Sequence, residues 1–285
     1  MLQRLDVKSY VENEYNKLGE ITKNFTEKEL NNKELVIFQV GDDPASNKYV
    51  GNKLKKMDML GLKYQHKVFA KDTEGYIEFL DLLHKYRGIG TTTPSKLLML
   101  QLPVPKKFEF WVDSLGDTDV DGISSSNKMS FAVNMPSYIP CTARGIRDYM
   151  KYIDKNLKGK SVLIINRSQL VGKPLSQLLL DEDMLVTVAH SHISKKQLEK
   201  SFKNYDYIIS GVGIPEYFDS NDLCDRNTFI DVGINFNSQG KMCGDLKISN
   251  INNSNAKYTP VPGGVGQLTV LSLMKNIIEG PQKRI

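Results

Sequence analysis

Cysteine is scarce in this 285-residue sequence: Cys141, Cys224 and Cys243 are widely spaced and odd in number. That excludes a disulfide framework and offers no zinc-ligand spacing, so a reducing cytoplasm is the expected setting. Long apolar runs are missing too. None approaches the roughly 20 residues that span a bilayer, and the opening MLQRLDVKSY carries charge where a signal peptide has its apolar segment. No membrane partner is expected. Lys and Arg are not clustered, and the formal net charge is only +5, which suits anionic small molecules and leaves no stripe for nucleic acid. His190 and His192 form a pair without a third ligand, and Asp119-Val120-Asp121-Gly122 lacks the remaining spacing of a calcium loop. No metal is expected. The composition, 40% hydrophobic and 25% charged with no low-complexity tract, is that of a globular protein long enough for two domains.

A complete glycine fingerprint for dinucleotides is also lacking, yet the stretch Ser161 to Leu180 keeps its architecture. Val162-Leu163-Ile164-Ile165 reads as a strand buried on both faces. The turn Asn166-Arg167-Ser168-Gln169 follows, then an amphipathic helix with Pro174 near its start. Of the G-x-G-x-x-G pattern only Gly172 stands. Strand, turn and helix in this order form the first half of a nucleotide-binding βαβ unit, whose free N–H groups at the helix start are expected to face a pyrophosphate. The next strand, Leu185 to Ala189, ends in His190-Ser191-His192, where an NAD site would place a carboxylate for the ribose 2′-hydroxyl. None lies there. Arg167 and Ser191 suit a 2′-phosphate instead, which favours NADP.

Ahead of this unit, residues 7–22 carry a helical apolar face, and Leu35 to Val40 reads as a buried strand. Asp42-Asp43-Pro44 is a helix start with an Asp cap, and Tyr49 and Lys53 fall on one face of that helix. A strand (62–69), a helix (74–86) and an apolar strand from Leu97 follow, the last ending at Gln101 before Leu102-Pro103. An amide at the carboxyl end of such a strand sits where α/β sheets gather ligands. The turn Gly116 to Gly122 reads from composition as a solvated loop. After the nucleotide unit, strands are expected at 207–210 and 228–232, with a short one at 242–246. Gly211, Gly213 and Gly233-Ile234 then lie at the same sheet edge, where glycine lets backbone approach a cofactor. Pro262-Gly263-Gly264 precedes a last helix, 268–278. The expected fold is α/β with two domains: an N-terminal α/β catalytic domain (1–140, joined by 268–285, the last helix returning to it) and a C-terminal Rossmann-type nucleotide-binding domain (141–267).

Seven segments, in order, closely resemble the bifunctional methylenetetrahydrofolate dehydrogenase/methenyltetrahydrofolate cyclohydrolase family: VGDDPASNKYVGNK, LQLPVP, DVDG, PCTARG, RSQLVGKP, DVGIN and PVPGGVGQLT. The resemblance implies that Lys53 is the catalytic lysine, that Gln101 partners it, and that Asp121 holds the pterin. It implies that Tyr49 packs on the folate, and that Leu102, Pro103, Pro262, Gly263 and Gly264 border the substrate. Asn166, Arg167, Ser168, Gly172, Ser191, Gly211, Gly213, Gly233 and Ile234 fall at cofactor-contacting positions, with NADP as cofactor. It also implies a homodimer formed through the nucleotide domain. The activity implied is oxidation of 5,10-methylenetetrahydrofolate to the methenyl cation and its hydrolysis to 10-formyltetrahydrofolate. Partial burial of Lys53 beside a neutral amide is expected to lower its pKa from about 10.4.

The sequence departs from that family at several points. Asn166 replaces the glycine that opens the turn, and its side chain is expected to crowd the pyrophosphate. Ala143 and Gln267 replace prolines, and residues 87–96 lack a usual Asp-Gly pair. A protein of the same fold with one activity only, or a non-catalytic NADP- or folate-binding protein, is the alternative. Retention of Tyr49, Lys53, Gln101 and Asp121 favours an enzyme.

Overall fold

The computed structural model describes residues 1–87, 96–249 and 255–285. Most of the departure at 87–96 therefore lies outside the described residues. The chain divides into two compact units, Glu14–Ile139 with Leu273–Ile285, and Met1–Asn13 with Pro140–Ser272. Residues 1–13, assigned from sequence to the catalytic domain, cluster with the nucleotide unit. The reason is strand addition: Gln3–Arg4 pairs in parallel with Lys257–Tyr258 at the sheet edge.

The Glu14–Ile139 unit is built on a three-stranded parallel sheet, with β1 (Leu35–Val40) between β2 (Tyr64–Phe69) and β3 (Leu97–Leu100). All six residues of β1 are buried, as its near-continuous apolar run requires of a central parallel strand. Val36, Phe38 and Val40 face one way, into a core with Phe69, Phe79, Leu83, Leu98, Leu100 and Trp111. Phe79, on the helix Thr73–Arg87, stacks on Trp111 with centroids 3.8 Å apart and planes 7° apart. Removing such a buried ring costs roughly 3–5 kcal/mol. The opposite face of β3 carries Met99 and then Gln101, and there the helix Pro44–Met59 brings Lys53. That helix starts where Asp43 Oδ2 accepts the Ser46 N–H at 2.8 Å, with Pro44 just inside.

The other unit carries a six-stranded parallel sheet. Its order is Gln3–Arg4, Lys257–Tyr258, β7 (Thr228–Asp231), β6 (Tyr207–Ser210), β4 (Ser161–Ile165) and β5 (Leu185–Ala189). β4, β6 and β7 are buried throughout, whereas β5, at the edge, is half exposed. From β4 the chain goes to β5 on one side and then to β6 on the other. The carboxyl ends of β4 and β6 thus flank a topological switch point, where open α/β sheets bind ligands. Residues 242–246 do not form one strand of this sheet. Met242–Cys243 pairs antiparallel with Asn235–Phe236, and Leu246–Lys247 pairs with Phe218–Asp219. Both are two-residue pieces over the sheet's carboxyl edge, held by side chains described below.

Candidate active site

Lys53 is only 8% exposed. Its Nζ donates to Gln101 Oε1 at 2.8 Å and lies 3.6 Å from Met99 Sδ. The two partners project from the same face of β3 because side chains alternate along a strand. Gln101 is itself fixed: its N–H donates to Phe38 O, and Nε2 donates to Leu102 O. The Leu102–Pro103 peptide is cis. Tyr49, half buried, lies one helical turn before Lys53. An amine at this degree of burial, held by an uncharged amide oxygen, is equipped to exchange a proton with a bound reactant.

Asp121 ends a segment that composition misreads. The segment Gly116 to Val120 is not a solvated loop, because Gly116, Thr118, Asp119 and Val120 are buried. Asp119 bridges Leu98 in parallel and Val120 N donates to Leu98 O at 3.0 Å, so this chain runs beside β3. The Asp119 carboxylate is the hub. It accepts N–H bonds from Asp121 (3.1 Å), Ile123 (2.7 Å) and Ser124 (2.6 Å). Burial, and secondarily the Asp121 charge, push its pKa up to about 7. Asn276 Nδ2 also donates to Val120 O at 2.8 Å. Asp121 is left half buried at the end of this braced turn.

In the nucleotide unit, Asn166 follows β4 and turns its side chain inward. Oδ1 accepts the N–H groups of Ser168 (2.8 Å) and Gly172 (3.1 Å), and Nδ2 donates to Gly211 O at 2.7 Å. The carboxamide thus spans the switch point between the β4 and β6 ends. The helix Gly172–Asp181 does not present the free N–H groups expected of it. Val171 N donates to Ser168 Oγ, Gly172 N to Asn166, Lys173 N to Ser168 O and Leu175 N to Val171 O, and Pro174 has none. Gly172 is required by close approach, since a Cβ there would lie 1.9 Å from Asn166 O. Ile165 pairs with Ala189, so Arg167 and Ser191 each stand two residues beyond paired strand ends, and both are exposed. Ser168 is half buried, Gly233 buried and Ile234 exposed. Gly213 has a φ of +70° with open space around it. The Pro262–Gly264 turn also belongs to this unit. There Val261–Pro262 is cis, Gly263 has φ +100°, and a Cβ at Gly264 would lie 2.3 Å from Pro260 O.

The structure therefore joins Lys53 directly to Gln101, places Tyr49 on the lysine's helix, and sets Asp121 in a turn paired to β3. Sequence reasoning missed Met99, Asp119 and Gln39. Buried Gln39 lies next along β1 and bonds Asn47 and His66. It also missed Ser210 and the carboxylates of Asp231 and Asp245. A polar residue breaking an apolar strand, as at Gln39, was the available signal.

Residues 5–111 match the family model "Tetrahydrofolate dehydrogenase/cyclohydrolase, catalytic domain", and residues 140–285 match its "NAD(P)-binding domain". Bifunctional protein FolD of Agathobacter rectalis is 36% identical over 252 residues, covering 87% of this chain and 88% of the relative. That of Bacillus subtilis is 31% identical over 255 residues, 88% of each. The crystal structure of the bifunctional FolD enzyme from Campylobacter jejuni superposes with a TM-score of 0.85 at 27% identity, covering 98% of both chains. The bifunctional enzyme from Thermoplasma acidophilum gives 0.80 at 26%, covering 98% and 97%. With this fold and with both of its units matched, the chain belongs to the tetrahydrofolate dehydrogenase/cyclohydrolase family.

Proposed function

We propose that the protein oxidises 5,10-methylenetetrahydrofolate to 5,10-methenyltetrahydrofolate with NADP and hydrolyses the product to 10-formyltetrahydrofolate. The observation that carries this reading is the buried Lys53–Gln101 pair in a chain of this family. Arg167 and Ser191 would hold the 2′-phosphate. Asn166, Ser168, Gly172, Gly211, Gly213, Gly233 and Ile234 would line the rest of the cofactor, and the open space at Gly213, the exposed Arg167 and Ser191 and the absence of a carboxylate after β5 fit that group. When bound, NADP supplies a hydride acceptor.

The chain's own work is to orient and to move protons. Tyr49 packs on the folate, Asp121 holds the pterin, and Leu102 and Pro103 bound the substrate. Aligning donor and acceptor is most of what the oxidation requires. In hydrolysis, water adds to the methenyl carbon and loses one proton to solvent; the ring then opens as the carbinol hydroxyl loses its proton and the ring nitrogen gains one. Lys53 relays that proton, and Gln101 holds the amine in position.

A hydrolase-only reading has one observation in its favour: the first-turn N–H groups of the Gly172–Asp181 helix are already engaged. Added methenyltetrahydrofolate should lose its absorbance many-fold faster with the protein than in buffer. Parallel decay in the two would remove the hydrolytic half. A cytoplasmic setting is supported by three free cysteines. A homodimer is supported by the open edge of β5, where Leu185 and Val188 are exposed beside Leu180.

A further inference from the structure

Beneath the glycine loops at the carboxyl ends of β6 and β7 lie two carboxylates that the reaction does not use. Asp245 has no exposure and Asp231 is 3% exposed. Asp245 Oδ2 accepts Ser210 Oγ and the Val212 N–H, each at 2.7 Å. Its Oδ1 accepts the Gly213 N–H at 3.1 Å and Asn235 Nδ2 at 3.0 Å. Asp231 Oδ1 accepts the N–H groups of Gly233 (2.9 Å) and Asp245 (3.0 Å), and Oδ2 that of Leu246 (2.9 Å). Each carboxylate therefore ties loop backbone to the neighbouring loop.

The packing leaves no slack. A Cβ at Gly233 would lie 2.2 Å from Asp245 Oδ1, and one at Gly244 2.1 Å from Asp231 Oδ2. Buried carboxylates are expensive unless their lone pairs are filled. Here the Val212, Gly213 and Gly233 N–H groups and the Asn235 amide, all in loops 211–213 and 233–235, supply four of the seven donors, and the orientation of those loops is thereby set. The remaining donors, Ser210 Oγ and the N–H groups of Asp245 and Leu246, tie the same carboxylates to β6 and to the 244–246 segment.

We propose that Asp245, with Asp231, is a positioning residue for the nicotinamide cofactor. It fixes the 211–213 and 233–235 loops, so cofactor affinity can be lost while hydrolysis continues. This rests on the NADP reading above.

The test titrates NADPH by fluorescence into the full-length wild type, Ser210→Ala and Asp245→Asn, and follows hydrolysis of added methenyltetrahydrofolate and KM against kcat for NADP. Ser210→Ala removes one donor gently and should weaken NADPH about three- to fivefold, Asp245→Asn about tenfold or more. KM for NADP should rise with kcat nearly unchanged, and hydrolysis should stay within about twofold of wild type. Unchanged NADPH affinity in both variants, or affinity and hydrolysis falling together in Ser210→Ala, would overturn the proposal. A wild-type chain that binds no NADPH would overturn the cofactor reading and this proposal with it.

Discussion

Lys53 and Gln101, 48 residues apart in sequence, meet across a 2.8 Å hydrogen bond in which the amine donates to the amide oxygen. The bond exists because a helix face and a strand face converge, and Met99 on the same strand face closes the other side of the amine.

Substituting Lys53→Met should keep the fold, since a linear apolar side chain of similar length fills the same space. Hydrolysis of methenyltetrahydrofolate should drop by about a hundredfold or more, the usual range for a lost proton-transfer group. NADPH affinity should not change. Decay of methenyl absorbance measures the first and fluorescence titration the second. Full hydrolytic activity in this variant would remove Lys53 from its role.

Asn166→Gly should move stability and affinity in opposite directions. It deletes three hydrogen bonds, lowering Tm by roughly 3–8 °C. It also frees the Ser168 and Gly172 N–H groups for a pyrophosphate, tightening NADPH binding about three- to tenfold. Looser binding together with lower Tm would make Asn166 a required brace rather than a competitor.

Arg167→Ala and Ser191→Ala probe the end of the nucleotide site. Loss of a charge-assisted contact to the 2′-phosphate should weaken NADPH at least tenfold for Arg167, and less for Ser191, while leaving NADH affinity where it was. Parallel titrations with the two cofactors decide it. Equal weakening toward both would place Arg167 elsewhere than on the 2′-phosphate.

Burial raises the pKa of Asp119 to about 7 and of Asp231 to about 6. Between about pH 4 and these values the native chain holds protons that the unfolded chain has released. Their contribution to stability is thus complete below about pH 4 and lost as pH rises through the folded values, at up to ~1.4 kcal/mol per pH unit for each group. Paired carboxylates such as Asp154 and Asp206, with lowered pKa values, work in the opposite sense, so comparison with a variant isolates the effect. Urea unfolding at pH 4.5, 5.5 and 6.5 should show the wild type losing stability relative to Asp119→Asn. Parallel curves would contradict it.

Much of this was legible because periodicity and capping speak locally. The apolar faces gave Val7–Thr22, β1, β5 and β6 with their boundaries, and Asp43-Pro44 marked the start of the lysine's helix. The helix Glu27–Asn32 was missed although Thr26 and Glu29 form a capping box, because too few apolar residues follow it. What sequence could not show was direction. Nothing in Asn166 says that its carboxamide folds inward, and nothing in the acidic turn at 116–122 says that Asp119 is its buried hub. Those outcomes depend on which backbone N–H groups lie nearby, and distant strands decide that.

The most direct test follows the purified protein with 5,10-methylenetetrahydrofolate, with NADP and then with NAD, recording reduced nicotinamide and the methenyl chromophore together. Reduced NADP with little methenyl accumulation is the expected result, because each methenyl cation formed is hydrolysed. Absence of reduction with either cofactor would contradict it, and rapid loss of added methenyltetrahydrofolate in that same sample would leave a hydrolase alone.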